Sequence, residues 1–142
     1  MSLGMDVKPV RVILDTNILI SAIGFGGKPR EILRFCLENK VKAITSQILI
    51  AELQEVISKK FPELIYKLDQ IQRRINKKFK KVQPKNILKI LNDEDDNRVL
   101  EAAAEGKCSY IITGDKELLD LRVFKNIKIV TVDQFLKSVF KG

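Results

Sequence analysis

Arg11-Val12-Ile13-Leu14-Asp15-Thr16-Asn17-Ile18-Leu19-Ile20 is the stretch that decides the fold. The segment 10–14 reads as a strand, and its apolar residues, broken only by Arg11, do not keep the alternation of a half-exposed one, which suits burial on both faces. An acid, a hydroxyl and an amide then follow before apolar character resumes. Asp15 or Thr16 can cap a helix at that point. A parallel strand that ends on a carboxylate and turns into a helix holds the carboxylate over the crevice at its own carboxyl end, where open α/β sheets bind ligands. Taken alone, Asp-Thr-Asn after a strand is most often a cap or a turn. Its meaning therefore depends on whether other acids reach the same crevice.

Outward from this stretch, short apolar runs alternate with helical patterns. Further strands are predicted over 41–45, 110–113 and 127–132. Gly24-Phe25-Gly26-Gly27 ends the first helix, and Pro29 suits the start of the next, which carries Ile32, Leu33, Phe35, Cys36 and Leu37. Ser46 caps a helix over 47–60. Leu64, Ile65, Leu68, Ile71 and Ile75 keep helical spacing after Pro62. The segment 86–91 fits either a strand or a short helix. An acidic entry at 92–96 opens a helix that ends near Gly106. Asp133 is expected to cap a terminal helix with Phe135, Leu136 and Phe140. Such alternation predicts an α/β fold, a three-layer α/β/α sandwich around a central, mostly parallel sheet of four or five strands. With 142 residues the chain is expected to form a single domain over 1–142, with 1–6 a flexible N-terminus.

Composition removes several chemistries. Histidine is absent, which excludes Ser-His-Asp and Cys-His catalysis and the imidazole ligands of zinc and copper. The two cysteines, Cys36 and Cys108, are expected to be ordinary buried thiols. No apolar run approaches the roughly 20 residues of a membrane span, and no signal peptide is recognisable, so a cytoplasmic protein without a membrane partner is expected. The net charge of +8 is concentrated: 59–89 holds 11 Lys and Arg against two acids, while the rest holds 15 against 16. One basic helical section thus carries the whole excess, as contact with a polyanion requires. Its candidate nucleic-acid-binding residues are Lys59, Lys60, Lys67, Arg73, Arg74, Lys77, Lys78, Lys80 and Lys81. The plainer account is a solvated, lysine-rich helical hairpin.

Helical spacing sorts the acids. Leu49, Glu52, Leu53 and Val56 fall at i, i+3, i+4 and i+7, so Glu52 lies on an apolar face. Asp96, Val99, Leu100 and Ala103 repeat the spacing, so Asp96 points inward, Asp93 sits outside or at the cap and Asp95 about 100° round. A carboxylate on an apolar face costs several kcal/mol unless compensated. Asp115, like Asp15, directly follows a strand. Four converging carboxylates would repel one another and draw in a hard divalent cation, Mg²⁺ or Mn²⁺. Such a cation activates water at a phosphodiester.

With those positions placed, nearly the whole chain resembles the PIN domain, a family of metal-dependent ribonucleases built on a sandwiched parallel sheet. The four stretches that carry the resemblance are Val12-Ile13-Leu14-Asp15-Thr16-Asn17-Ile18-Leu19-Ile20-Ser21-Ala22, Ser46-Gln47-Ile48-Leu49-Ile50-Ala51-Glu52-Leu53, Asp93-Glu94-Asp95-Asp96-Asn97-Arg98-Val99-Leu100-Glu101-Ala102-Ala103 and Tyr110-Ile111-Ile112-Thr113-Gly114-Asp115-Lys116-Glu117-Leu118-Leu119. Each is weak by itself; all four in order are specific. The resemblance implies that Asp15, Glu52, Asp96 and Asp115 form the catalytic, metal-holding quartet, supported by Asn17 and Thr113, with Asp93 the reserve ligand. It is nearest to toxins of toxin–antitoxin pairs, implying an endoribonuclease acting on RNA, a small antitoxin partner and a homodimer. Two other functions fit the pattern less well. One is a non-catalytic RNA-binding or regulatory module on the same scaffold, for which the intact acids are superfluous. The other is a phosphorylatable receiver-like domain, for which Glu52 and Asp96 are superfluous.

Overall fold

The structure, a computed structural model, describes residues 9–139. The N-terminal segment 1–6 and Phe140 lie outside the described residues. In chain order the elements are β1 (Arg11–Leu14), α1 (Thr16–Gly24), α2 (Gly27–Leu37), β2 (Lys42–Ser46), α3 (Gln47–Lys60), a 3₁₀ turn (Pro62–Leu64), α4 (Ile65–Lys78), β3 (Lys80–Val82), α5 (Glu94–Glu105), β4 (Tyr110–Ile112), α6 (Lys116–Leu121), β5 (Val123–Phe124), β6 (Ile127–Val130) and α7 (Val132–Val139). The sheet has six strands in the order β3-β2-β1-β4-β6-β5, all parallel except β5 against β6.

The expected α/β/α layering is present. Alternate residues of each central strand enter opposite cores: Val12, Leu14, Ala43 and Ile112 join the side covered by α1, α2, α4 and α7, while Ile13, Ile44 and Ile111 join the side covered by α5 and α6. That is the period of two read on a sheet covered twice. Among the described residues no helix is long and apolar enough to cross a membrane.

The sheet exceeds the expected four or five strands by short, polar-edged pieces. β3 is Lys-Lys-Val on one edge, where charges discourage pairing with other chains. β5 closes on β6 through Lys125 and Asn126, both in the left-handed region (φ 49° and 67°), as a tight two-residue hairpin needs. Two further expectations are corrected. The segment before α5 is neither strand nor helix. Its backbone is held by a stripe of α5 side chains at i, i+4 and i+8: Asn97 Oδ1 accepts from Ile90 and Leu91 N–H, Glu101 Oε2 from Leu88 N–H, and Glu105 Oε1 from Lys85 N–H. Thr131, not Asp133, caps α7. The Thr131 hydroxyl accepts from Gln134 N–H (3.1 Å) and the Gln134 side chain returns the bond to Thr131 N–H (2.9 Å), a reciprocal capping box. Asp133 instead pairs with Lys28 and Lys137.

Candidate metal centre and nucleic-acid interface

β1 lies in the middle of the sheet; the chain first builds β2 and β3 on one side of it and then crosses to β4 on the other. The crevice therefore opens over the carboxyl ends of β1 and β4, at the switch point. Register fixes this edge: Leu14 is level with Ile112, and Asp15 N–H donates to Ile112 O at 3.0 Å. Asp15 follows β1 and Asp115 follows β4 after Thr113 and Gly114. Asp96, from the first turn of α5, meets them. One carboxylate oxygen from each of Asp15, Asp96 and Asp115 lies within 4.8 Å of the others.

Few donors answer this charge. Asp15 stands at the N-cap of α1 yet makes no capping bond. Its Oδ2 instead accepts from the Thr113 hydroxyl at 2.7 Å, and Thr113, fully buried, also accepts from Asp115 N–H at 3.0 Å. Asp115 Oδ1 caps α6 through Glu117 N–H. Asp96 Oδ2 is buried with no hydrogen-bond partner among the described residues. Among the described residues no Lys or Arg forms an ion pair with any of the three. Burial, then the charge of Asp115 and Asp93, raises the Asp96 carboxyl to about 7. Burial likewise raises Asp15, against the lowering effect of Thr113. An orphaned buried oxygen in a knot of uncompensated carboxylates fits a hard divalent cation, for which all-oxygen ligands are the matching donors.

The remaining expected residues fall around this knot. Glu52, half-buried on α3, lies at its margin, not within the three-acid group; its Oε1 accepts from the Thr16 hydroxyl at 2.7 Å. Burial, then the neighbouring Asp95 carboxyl, raises Glu52 to about 7. Asp95 and Thr16 thus reach the site although sequence spacing did not select them. Asn17 exposes its side chain, and its backbone N–H faces Asp15. Asp93 is the N-cap of α5, accepting from Asp95 N–H at 2.8 Å, and stays outside the three-acid group.

The nine basic candidates are all exposed, and only Lys59 among them pairs with an acid, Glu55, among the described residues. They divide by position. Gln54 on α3 bonds Gln72 on α4 at 3.0 Å, so the two helices run as an antiparallel pair. α4 then enters β3, which pairs with the carboxyl half of β2. Lys77, Lys78, Lys80 and Lys81 therefore return toward the edge that carries the acids, while Arg73 lies beside Gln54 and Gln72 and Arg74 shares with Lys67 a groove against α1 and α2. Lys59, Lys60 and Lys67 sit at the far end.

Comparisons with known proteins agree with this architecture. In the solved VapBC2 complex from Rickettsia felis, bound to a DNA fragment from its promoter, one chain superposes with a TM-score of 0.56 at 18% identity, over 84% of this chain and 97% of that one. An uncharacterized protein of Methanocaldococcus jannaschii is 34% identical over 124 residues, covering 83% of this chain and 79% of that protein. The model of the PIN domain matches residues 11–117, a span that runs from the first residue of β1 through the Asp115 turn. The chain belongs to the PIN domain family.

Proposed function

We propose that this chain is an endoribonuclease that hydrolyses RNA phosphodiester bonds with Mg²⁺ or Mn²⁺, and that it is the toxin of a toxin–antitoxin pair. The observation that carries the reading is the meeting of Asp15, Asp96 and Asp115 at the sheet's switch point, with an Asp96 oxygen left bare. These three would hold the cation. When bound, it supplies charge stabilisation at the phosphoryl oxygens and acidifies water. Thr113 fixes the orientation of Asp15 and, through its contact with Asp115 N–H, the turn that presents Asp115. Glu52, placed beside the three and raised to about 7, takes the proton of the attacking water, and solvent water protonates the departing ester oxygen as its P–O bond breaks.

The family likeness and the one-sided charge support RNA as substrate, with the basic section 59–89 as its binding arm on a single domain over 1–142. The likeness to a VapBC2 complex supports a small antitoxin partner, and the toxin reading implies a homodimer working in the cytoplasm. Single-stranded RNA incubated with the purified chain should be cut with Mg²⁺ or Mn²⁺ and spared with EDTA. Asp15→Asn should abolish cutting with the circular dichroism spectrum unchanged. Full activity in that variant, or RNA bound tightly yet left intact with metal present, rejects the nuclease assignment.

A further inference from the structure

Beside the acids, the carboxyl ends of β2 and β3 carry a cleft of about 640 Å³, within the size range of small-ligand sites. Its walls are the start of α3, the end of β3, the segment held against α5, and Arg98 of α5. Parallel strands neighbour each other at about 4.8 Å, so this cleft opens on the same edge as Asp15, one to two strands away. Two helices tie it to the acids. Ile48, on the cleft, is one turn before Glu52 on α3. Arg98, on the cleft, is one turn after Asp95 on α5. Residues at these spacings are surface neighbours, and Glu52 and Asp95 lie against each other. The cleft therefore adjoins the margin of the metal centre at Glu52 and Asp95.

The lining has a particular chemistry. Ile48 and Ile87 are 57% and 77% exposed, apolar surface against which a base can pack. Gln47 and Asn86 offer amides that can both donate and accept. Lys81 supplies positive charge, while Arg98 is paired with Glu101, which also lines the cleft. Glu101 Oε2 (3.1 Å) and Leu88 O (3.4 Å) hold one end of the Arg98 guanidinium, while its buried Nε has no acceptor among the described residues.

We infer that this cleft seats an unpaired nucleotide of the RNA strand next to the scissile phosphate, and that Gln47, Ile48, Lys81, Asn86, Ile87 and Arg98 set the preference for it. The inference rests on the nuclease reading above for its substrate. A base must leave its helical stack to enter such a cleft, so single-stranded RNA is selected over duplex.

The test uses binding, so that it stands apart from cleavage. Asp15→Asn chain, which is not expected to cut, is titrated with a fluorescent single-stranded oligoribonucleotide and with the matching duplex. Adding Lys81→Ala and Ile87→Asp should weaken single-strand binding about 10-fold, and Lys81→Ala alone should lower the salt slope by about one. Lys125→Ala, at the opposite end of the sheet, should change affinity less than about two-fold. Duplex binding should be weaker in the parent chain and insensitive to Ile87→Asp. Unchanged single-strand affinity in the cleft variants, an equal loss from Lys125→Ala, or no RNA binding by the parent overturns the inference. Binding that behaves as expected while the unsubstituted chain cuts nothing with metal leaves the cleft in place and removes only the nuclease assignment.

Discussion

Thr113 shows how little of the site's chemistry resides in the acids alone. It is a fully buried hydroxyl that donates to Asp15 and accepts from the Asp115 backbone. Thr113→Val keeps its shape and leaves an Asp15 oxygen without a donor. We expect a loss of about 1–3 kcal/mol by thermal denaturation and Mn²⁺ binding weaker by about 10–100-fold by calorimetry. The acids themselves oppose folding when no cation is present. Glu52 and Asp96 titrate near 7 in the folded chain, against 4.5 and 3.8 for free groups. The folded state therefore retains protons that the unfolded state has released, and its stability falls as pH rises through that interval. Melts in EDTA should show a lower Tm at pH 8 than at pH 5, and saturating Mg²⁺ should flatten the difference. Asp15→Asn should raise the Tm in EDTA at pH 8 while destroying activity, the exchange expected of a strained site. At this scale the sequence was informative where periodicity acts within one helix: it turned Asp96 inward. It did not reveal Asp95 or Thr16, because each reaches Glu52 only where separate elements meet.

Elements were legible in proportion to how much of their stabilisation is local. α3 has its Ser46 cap, whose hydroxyl accepts from Leu49 N–H, and a regular apolar face, and its bounds match the expected 47–60. β3 and β5, of three and two residues, are too short to announce themselves and exist because longer neighbours offer free edges. The segment before α5 has no local signal at all, since its partners are side chains up to 20 residues later in the chain. Docking between elements also leaves little slack. A Cβ on Gly106, at the end of α5, would come within 2.5 Å of Ile44 Cγ2 on β2. Gly106→Ala should destabilise the chain by about 1–3 kcal/mol through this overlap, read as a shifted urea midpoint at unchanged slope. Cation affinity in the surviving folded fraction should be nearly normal, because the contact lies at the end of α5 remote from Asp96.

Across the whole molecule, a negative crevice sits beside a positive helical pair. The overall layering followed from the order of short buried runs and helices, and the charge imbalance from simple counting. The direction in which the basic residues face needed the antiparallel packing of α3 on α4. That direction makes a distinction: Lys77→Glu with Lys78→Glu should weaken RNA binding more than Lys59→Glu with Lys60→Glu, although both pairs alter net charge equally. Anisotropy titrations at several salt concentrations would separate them, each lost phosphate contact lowering the slope by about one. Equal losses would make the section a diffuse counter-charge without register on the strand. The ladder of Asn97, Glu101 and Glu105 has a consequence of its own at this scale. The amides of Leu88, Ile90 and Leu91 belong to no helix or sheet, yet each is engaged by a side chain of a helix. Their deuterium uptake should lag far behind that of ordinary surface loops. Trypsin should also spare Lys85 and Lys89, exposed as they are, until the α5 helix itself comes away from the sheet.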